Sequence, residues 1–211
     1  MGLLKIRGTS SDDTIRGIGR AEKIIASLGD DFVDARGGND HVRGGEGRDG
    51  LLGGDGYDRL FGGHGDDLLA GQRHNDVLDG GDGNDILIGG TGSDRLIGDG
   101  GDDTMIGGTA EFELYEGVWY AHSAEGDGAK DTFVINEYAG DGNDEIYGFE
   151  PGTDVLLFKQ NDIVSHRENL YGVTLTTATG GTVYLEHVWT EDIIGSVQGT
   201  DYFDDVLFDL G

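Results

Sequence analysis

The chain has 211 residues, of which 42 are glycine, 1 is proline and none is cysteine, and 36% are hydrophobic. Average proteins use roughly 7% glycine and 45–50% apolar residues, so a conventional core filling the whole length is excluded. Lys plus Arg is 14 and Asp plus Glu is 42, a formal net charge of −28, which argues against nucleic acid and against docking on an anionic membrane.

At that charge density a compact state repels itself. Either the chain is unfolded in plain buffer or cations neutralise it. Without cysteine there is no disulfide, thiolate metal site or cysteine nucleophile, and a small exported domain then needs another staple, for which metal is the usual substitute. Residues 1–7 (MGLLKIR) hold no apolar run of signal-peptide length. No stretch approaches the ~18–20 apolar residues of a membrane span.

From Gly8 onward the sequence repeats every nine residues. Position 1 is Gly8, Gly17, Ala26, Ala35, Gly44, Gly53, Gly62, Gly71, Gly80, Gly89 and Gly98. Position 6 is Asp13, Glu22, Asp31, Asp40, Asp49, Asp58, Asp67, Asp76, Asp85, Asp94 and Asp103. Position 8 is aliphatic or Met throughout, from Ile15 and Ile24 to Leu96 and Met105. A flexible Gly/Asp linker would not fix an apolar residue in every unit.

The chemistry follows from these positions. Glycine permits backbone conformations closed to other residues, so a tight turn can aim several carbonyl oxygens inward, and Asp at position 6 adds a hard anionic oxygen. Calcium takes 6–8 such oxygens, more than one short loop supplies, so two stacked loops should share an ion. Positions 7 to 9 read as a three-residue strand with position 8 inward, because side chains alternate. Two units make one turn of a two-sheet parallel roll. Eleven units give about five and a half turns, roughly 26 Å of stacked strands.

The units GGDGYDRLF (53–61), GGDGNDILI (80–88) and GGTGSDRLI (89–97) resemble the calcium-binding nonapeptide of the RTX (repeats-in-toxin) family. The resemblance covers about residues 8–108. It implies an all-β fold, a parallel β-roll (a two-sheet right-handed β-helix) with a C-terminal β-rich capping region, and several bound Ca2+ ions. The expected metal ligands are Asp31, Asp40, Asp49, Asp58, Asp67, Asp76, Asp85, Asp94, Asp103 and Asp144.

Alternate loops fall into two columns. Loops starting at 8, 26, 44, 62, 80 and 98 form one, and from 26 onward each has Gly at position 4 and Asp at position 6. Loops at 17, 35, 53, 71 and 89 form the other. There GIGRAE lacks Asp, and GQRHND has Gln72 and His74 where glycines belong. A weaker or distorted site is expected near His74.

The outer faces differ as well. After the first column, positions 7 and 9 include Phe32, Leu52, Leu68, Ala70, Ile86, Ile88 and Ile106, an apolar face that the C-terminal half should cover. After the second they include Lys23, His41, Arg43, Arg59 and Arg95.

Past Gly108 the register breaks. Residues 109–125 read as an aromatic insertion that packs, with Phe112, Leu114, Tyr115, Trp119 and Tyr120 as one cover for the apolar face. Residues 126–134 and 139–147 return as degenerate repeats, the second with Asp144 at position 6 and Ile146 at position 8. Val173, Leu175 and Thr177, the turn Gly180-Gly181, then Val183 and Leu185 read as a β-hairpin, the other candidate cover. The domain division is therefore 1–108 roll, 109–125 insertion, and 126–211 degenerate repeats, capping region and secretion signal. The acidic-apolar end DYFDDVLFDLG is similar to the ends of type I secretion substrates.

There is no H-E-x-x-H among His41, His64, His74, His122, His166 and His187, and no G-x-S-x-G elbow. The reading is a secreted, non-catalytic calcium-binding RTX module, exported by type I secretion machinery without an N-terminal signal and folded by extracellular calcium. The alternatives are a calcium-dependent appendage for anionic polysaccharide, resembling the repeat modules of alginate epimerases, and a fragment of a larger RTX toxin or enzyme.

Overall fold

A computed structural model describes residues 3–115, 118–135, 142–151, 153–158, 163–168, 171–177, 180–188 and 197–198. Two long sheets face each other. The first has nine strands in the order β1 (Leu4–Arg7), β3 (Glu22–Leu28), β5 (His41–Glu46), β7 (Arg59–His64), β9 (Val77–Asp82), β11 (Arg95–Gly100), β15 (Thr132–Ile135), β17 (Val155–Phe158) and β21 (Val197–Gln198). All of its pairings are parallel.

The second runs β2 (Thr14–Arg16), β4 (Phe32–Asp34), β6 (Gly50–Asp55), β8 (Leu68–Arg73), β10 (Ile86–Thr91), β12 (Thr104–Ile106), β16 (Asn143–Tyr147) and β20 (Thr182–Glu186), then β19 (Gly172–Thr177) and β18 (Ile163–Glu168). Here the chain winds as a β-solenoid, as the period implies. Consecutive repeats alternate between the sheets and partners lie eighteen residues apart, as in Leu51↔Leu69 and Leu69↔Leu87.

Position 8 supplies the core. Ile24, Val33, Val42, Leu51, Leu60, Leu69, Leu78, Leu87, Leu96 and Met105 are fully buried, stacked between the sheets where each repeat covers the next. Burying one such side chain stabilises by about 1.5–3 kcal/mol. Most strands are longer than the expected three residues. In the middle of the roll they continue from position 7 into position 3 of the next unit, because the glycine-rich segment also pairs with its neighbour, as in Gly45↔Gly63 and Gly63↔Gly81.

The roll also exceeds the eleven units at both ends. Lys5-Ile6-Arg7 pairs with Lys23-Ile24-Ile25, and Ile6 packs against the core. At the other end β15 stacks on β11 through Leu96↔Phe133, and β16 on β12 through Met105↔Ile146. The insertion is a hairpin of β13 (Thr109–Tyr115) and β14 (Val118–Glu125), antiparallel, looped out between turns. β13 lies against β10. Ile106 beside it is fully buried, whereas Leu52, Leu68, Ala70, Ile86 and Ile88 are half-buried and Phe32 is 41% exposed. The aromatic side chains proposed as a cover lie outside the described residues.

The second hairpin forms with Val173↔Leu185 in register, but it is not a cover. β20 adds edge-on and parallel to β16, and Val173, Leu175, Val183 and Leu185 prolong the core. Truncation after Gly108 removes Phe133 and Ile146 from above Leu96 and Met105 and exposes two sheet edges, which invite association. The shortened chain should need several-fold more calcium to fold, or aggregate. A calcium titration followed by circular dichroism checks this, and an unchanged midpoint would show that the C-terminal half is not a cap.

Candidate metal centre

Position 6 sits at the end of each glycine turn, just before the chain enters a strand. There its carboxylates form two continuous ladders. In the first, the backbone N–H of Asp13 donates to Asp31 Oδ1 at 2.7 Å, and the pattern repeats from Asp31 to Asp49, Asp49 to Asp67, Asp67 to Asp85, Asp85 to Asp103 and Asp103 to Asp144. In the second it runs from Glu22 to Asp40, Asp40 to Asp58, Asp58 to Asp76, Asp76 to Asp94, Asp94 to Asp131 and Asp131 to Asp154. All ten candidate ligands lie on these ladders.

Four ladder members lie outside those ten: Asp13 at the foot of the first ladder, and Glu22, Asp131 and Asp154 in the second. Glu22 is fully buried at the foot of the second ladder, with Oε2 accepting from the Ile18 N–H at 3.1 Å. Asp131 and Asp154, 1% and 2% exposed, extend that ladder. The signal for Asp154 was present in FEPGTDVLL: Asp at position 6 and Leu156 at position 8, masked by Phe149 and Pro151. Glu150 ties this turn together, its N–H donating to Asp154 Oδ2 at 2.9 Å and its Oε2 accepting from the Gly128 N–H at 3.0 Å.

Only one oxygen of each carboxylate is used by the ladder. The Oδ2 atoms of Asp31, Asp40, Asp49, Asp58, Asp67, Asp76, Asp85, Asp94 and Asp103 and Oε1 of Glu22 are buried and have no hydrogen-bond partner. Ten orphaned carboxylate oxygens cannot be left ionised and unpaired in a folded protein. Burial accordingly pushes the carboxyls of Asp67, Asp76 and Asp103 up to about 8, Asp40, Asp85 and Asp131 to about 7, and Asp49 and Asp94 to about 6. Neighbouring carboxylates of the same column add to this for Asp67, whose charge is opposed by Asp85 and Asp49.

The orphans of Asp58, Asp67, Asp76, Asp85 and Asp94 each share a small space with a carbonyl of the next turn. A Cβ added to Gly89 would lie 2.5 Å from both Asp94 Oδ2 and the Gly107 carbonyl oxygen. At Gly53 the corresponding distances are 2.5 Å to Asp58 Oδ2 and 2.9 Å to the Gly71 oxygen. Among the described residues no three His, Cys, Asp or Glu side chains converge. A cation held here must take backbone carbonyls for most of its ligands. That donor set suits a hard ion such as calcium and not zinc, which selects imidazole and thiolate.

Glycine at positions 2 and 4 is needed for its left-handed backbone, as at Gly63 (φ 127°) and Gly65 (φ 116°). From the third unit onward, departures keep the conformation: Ser27, Arg36, Gln72 and Asp99 at position 2 and His74 at position 4 all have positive φ. The ladder is unbroken at this loop, with Asp76 Oδ1 accepting from Asp58 at 2.7 Å. The irregularity expected near His74 is therefore one of backbone strain, not of carboxylate placement. Gln72→Gly should stabilise the calcium-loaded protein by about 1 kcal/mol, the usual cost of a left-handed non-glycine residue. A rise in thermal midpoint checks it.

An outer ladder at position 5 runs with opposite polarity. The N–H groups of Asp30, Asn84 and Asp102 donate to Asp12 Oδ1, Asp66 Oδ1 and Asn84 Oδ1, at 3.0, 2.9 and 3.0 Å, so each bond points back to the preceding turn. Asp and Asn at this position thus stitch turns together in addition to the inner carboxylate ladders.

The RTX calcium-binding nonapeptide repeat (4 copies) matches residues 17–51, 44–78, 52–87, 79–109 and 138–150, together half of the chain. The chain belongs to the RTX calcium-binding nonapeptide-repeat family. Its roll is that of an RTX calcium-binding module, and the match to 138–150 falls on the loop carrying Asp144. No curated protein matches the RTX chain. Among solved structures it is similar to the extracellular lipase LipA from Serratia marcescens, at 17% identity and a TM-score of 0.41, over 98% of this chain and 40% of that one. The chain therefore spans 40% of that protein's length.

Proposed function

We propose that this chain is a secreted, non-catalytic calcium module, exported unfolded and folded outside by calcium held in the two carboxylate columns. The observation that carries the reading is the two lines of orphaned, buried Oδ2 atoms, one in each repeat from Asp31 to Asp103. The ligands are the carboxylates of Asp31, Asp40, Asp49, Asp58, Asp67, Asp76, Asp85, Asp94, Asp103 and Asp144, with Glu22, Asp131 and Asp154 as additions, completed by loop carbonyls. Bound calcium supplies the positive charge that lets these carboxylates stay ionised while buried.

Extracellular calcium modules bind in the ~10⁻⁴–10⁻³ M range, so a chain built this way stays open where calcium is scarce and closes where it is abundant. The family's typical extracellular setting supports type I secretion. Asp67 tests the site. It accepts from Asp49 and donates to Asp85, so Asp67→Ala should weaken the site on either side and lower the calcium bound at saturation by about two ions, following the sharing of each ion by stacked loops. Calorimetric titration of both proteins with calcium reads this, and unchanged stoichiometry and affinity would sink the assignment.

A further inference from the structure

The outer face of the first sheet departs from the rest of the protein. In β1, β3, β5 and β7 the two outward positions hold Lys5 and Arg7, Lys23 and Ile25, His41 and Arg43, Arg59 and Phe61. Five of these eight are permanent cations and none is a carboxylate, on a chain of net charge −28. The register aligns them in two rows, Lys5–Lys23–His41–Arg59 and Arg7–Ile25–Arg43–Phe61.

If these cations served only to balance the acidic roll, they would be paired with carboxylates. They are not. Among the described residues the ion pairs of Arg or Lys are Arg36–Asp34 at 3.7 Å and Arg73–Asp55 at 3.1 Å, both elsewhere. Lys5, Arg7, Arg43 and Arg59 are exposed. The His41 ring meets Phe61 edge-on at 5.1 Å, placing an aromatic and apolar platform with Ile25 between the cations.

We propose that this strip binds a linear acidic polysaccharide, its carboxylates or sulfates on the cation rows and its sugar faces against Phe61 and Ile25. The dimensions favour a single extended chain. Three strand spacings make the strip roughly 14 Å long, and it is two side chains wide. One rim of the strip is acidic, with Asp12, Asp30, Glu46 and Asp66 exposed beside Arg48, while the other carries Arg20, Arg36 and Asp55. A flat anionic membrane would meet the acidic rim and be repelled there. A single-stranded nucleic acid binds through a series of stacking aromatics, and this strip offers only Phe61 and His41. Calcium assists from a distance, because every ion taken up adds two positive charges to a protein whose net charge otherwise repels polyanions.

The test uses the full chain in millimolar calcium, with folding followed by circular dichroism in the same samples. Electrophoresis through gels containing dextran sulfate, polygalacturonate or unsubstituted dextran reads binding. Both charged polymers should retard the protein, neutral dextran should not, and salt should weaken the effect steeply. Lys23→Glu/Arg43→Glu/Arg59→Glu should weaken binding by roughly tenfold or more while leaving calcium-induced folding in place. If that variant misfolds, Arg59→Ser alone takes its place and should weaken binding measurably. Retardation that the charge reversals do not change, no retardation at all, or tighter binding to single-stranded DNA or to phosphatidylserine vesicles would overturn the proposal. None of these outcomes touches the calcium reading, which the dichroism reports separately.

Discussion

In excess chelator the full chain should lose its β-sheet dichroism at pH 7.5, and millimolar calcium should restore it. The effect is large because it is distributed over the whole roll. Ten buried carboxylate oxygens without partners stand in two columns, and the carboxylates accept from the backbone N–H of the column residue one turn before, so no single turn can relax alone. Without cations the folded state must either bury unpaired charge or take up protons, and at that pH protonating carboxyls that sit near ~3.9 in the unfolded chain is costly enough in sum to favour opening. A chain whose ion sites exist only when turns are stacked converts ion binding into folding free energy. At a hundredfold excess of calcium over its dissociation constant, each independent site adds about 2.7 kcal/mol, and several together are comparable to the whole stability of a domain. Magnesium should substitute poorly, since it demands near-ideal octahedral geometry and gives up its water reluctantly. A chain fully folded in excess chelator would contradict this.

How much of this could be read from the sequence depended on how strictly a residue obeys the period. Leu51, Leu69 and Leu87 could be placed in the core at once, because a fixed inward position in every unit allows no other reading. The aspartates from Asp31 to Asp103 were equally plain. Asp154 was hidden since Phe149 and Pro151 replace the expected glycine and variable residue, and only the Asp and Leu156 keep register. Glu22 was set aside as lacking Asp, yet the longer side chain reaches the same column and leaves the same kind of orphan oxygen. The hairpin ending in Val183 and Leu185 was recognised as a hairpin but misplaced. Alternation fixes which residues turn inward, not whether a strand lies over a sheet or beside it.

The polarity of the two ladders was beyond the sequence. Asp at position 6 and Asp or Asn at position 5 look alike in a repeat, but one accepts from the turn before it and the other from the turn after it. That difference leaves the inner carboxylates with a free oxygen facing the glycine turn. It also gives the protein a second way to neutralise its columns, because an orphaned oxygen can be satisfied by a proton as well as by an ion.

Acid should therefore partly replace calcium. The folded-state values of Asp40, Asp67, Asp76, Asp85, Asp103 and Asp131 stand at about 7 to 8, above the ~3.9 of an unfolded Asp. A carboxyl raised in this way favours folding fully below its unfolded value, and the contribution is lost as pH rises through the folded value. Every tenfold gain in proton affinity on folding is worth about 1.4 kcal/mol. In chelator, β-structure should accordingly grow as pH falls from about 8 to about 5, ahead of the range near 4 where ordinary carboxylates protonate. With calcium present the dependence reverses, because the ion needs the deprotonated carboxylate, and the calcium midpoint should rise as pH falls. Dichroism against pH, with chelator and with calcium, gives two curves of opposite slope if protons and calcium compete for the same oxygens. Chelated protein equally unfolded at pH 5 and pH 8 would mean that the columns do not control folding, whatever else binds calcium on this chain.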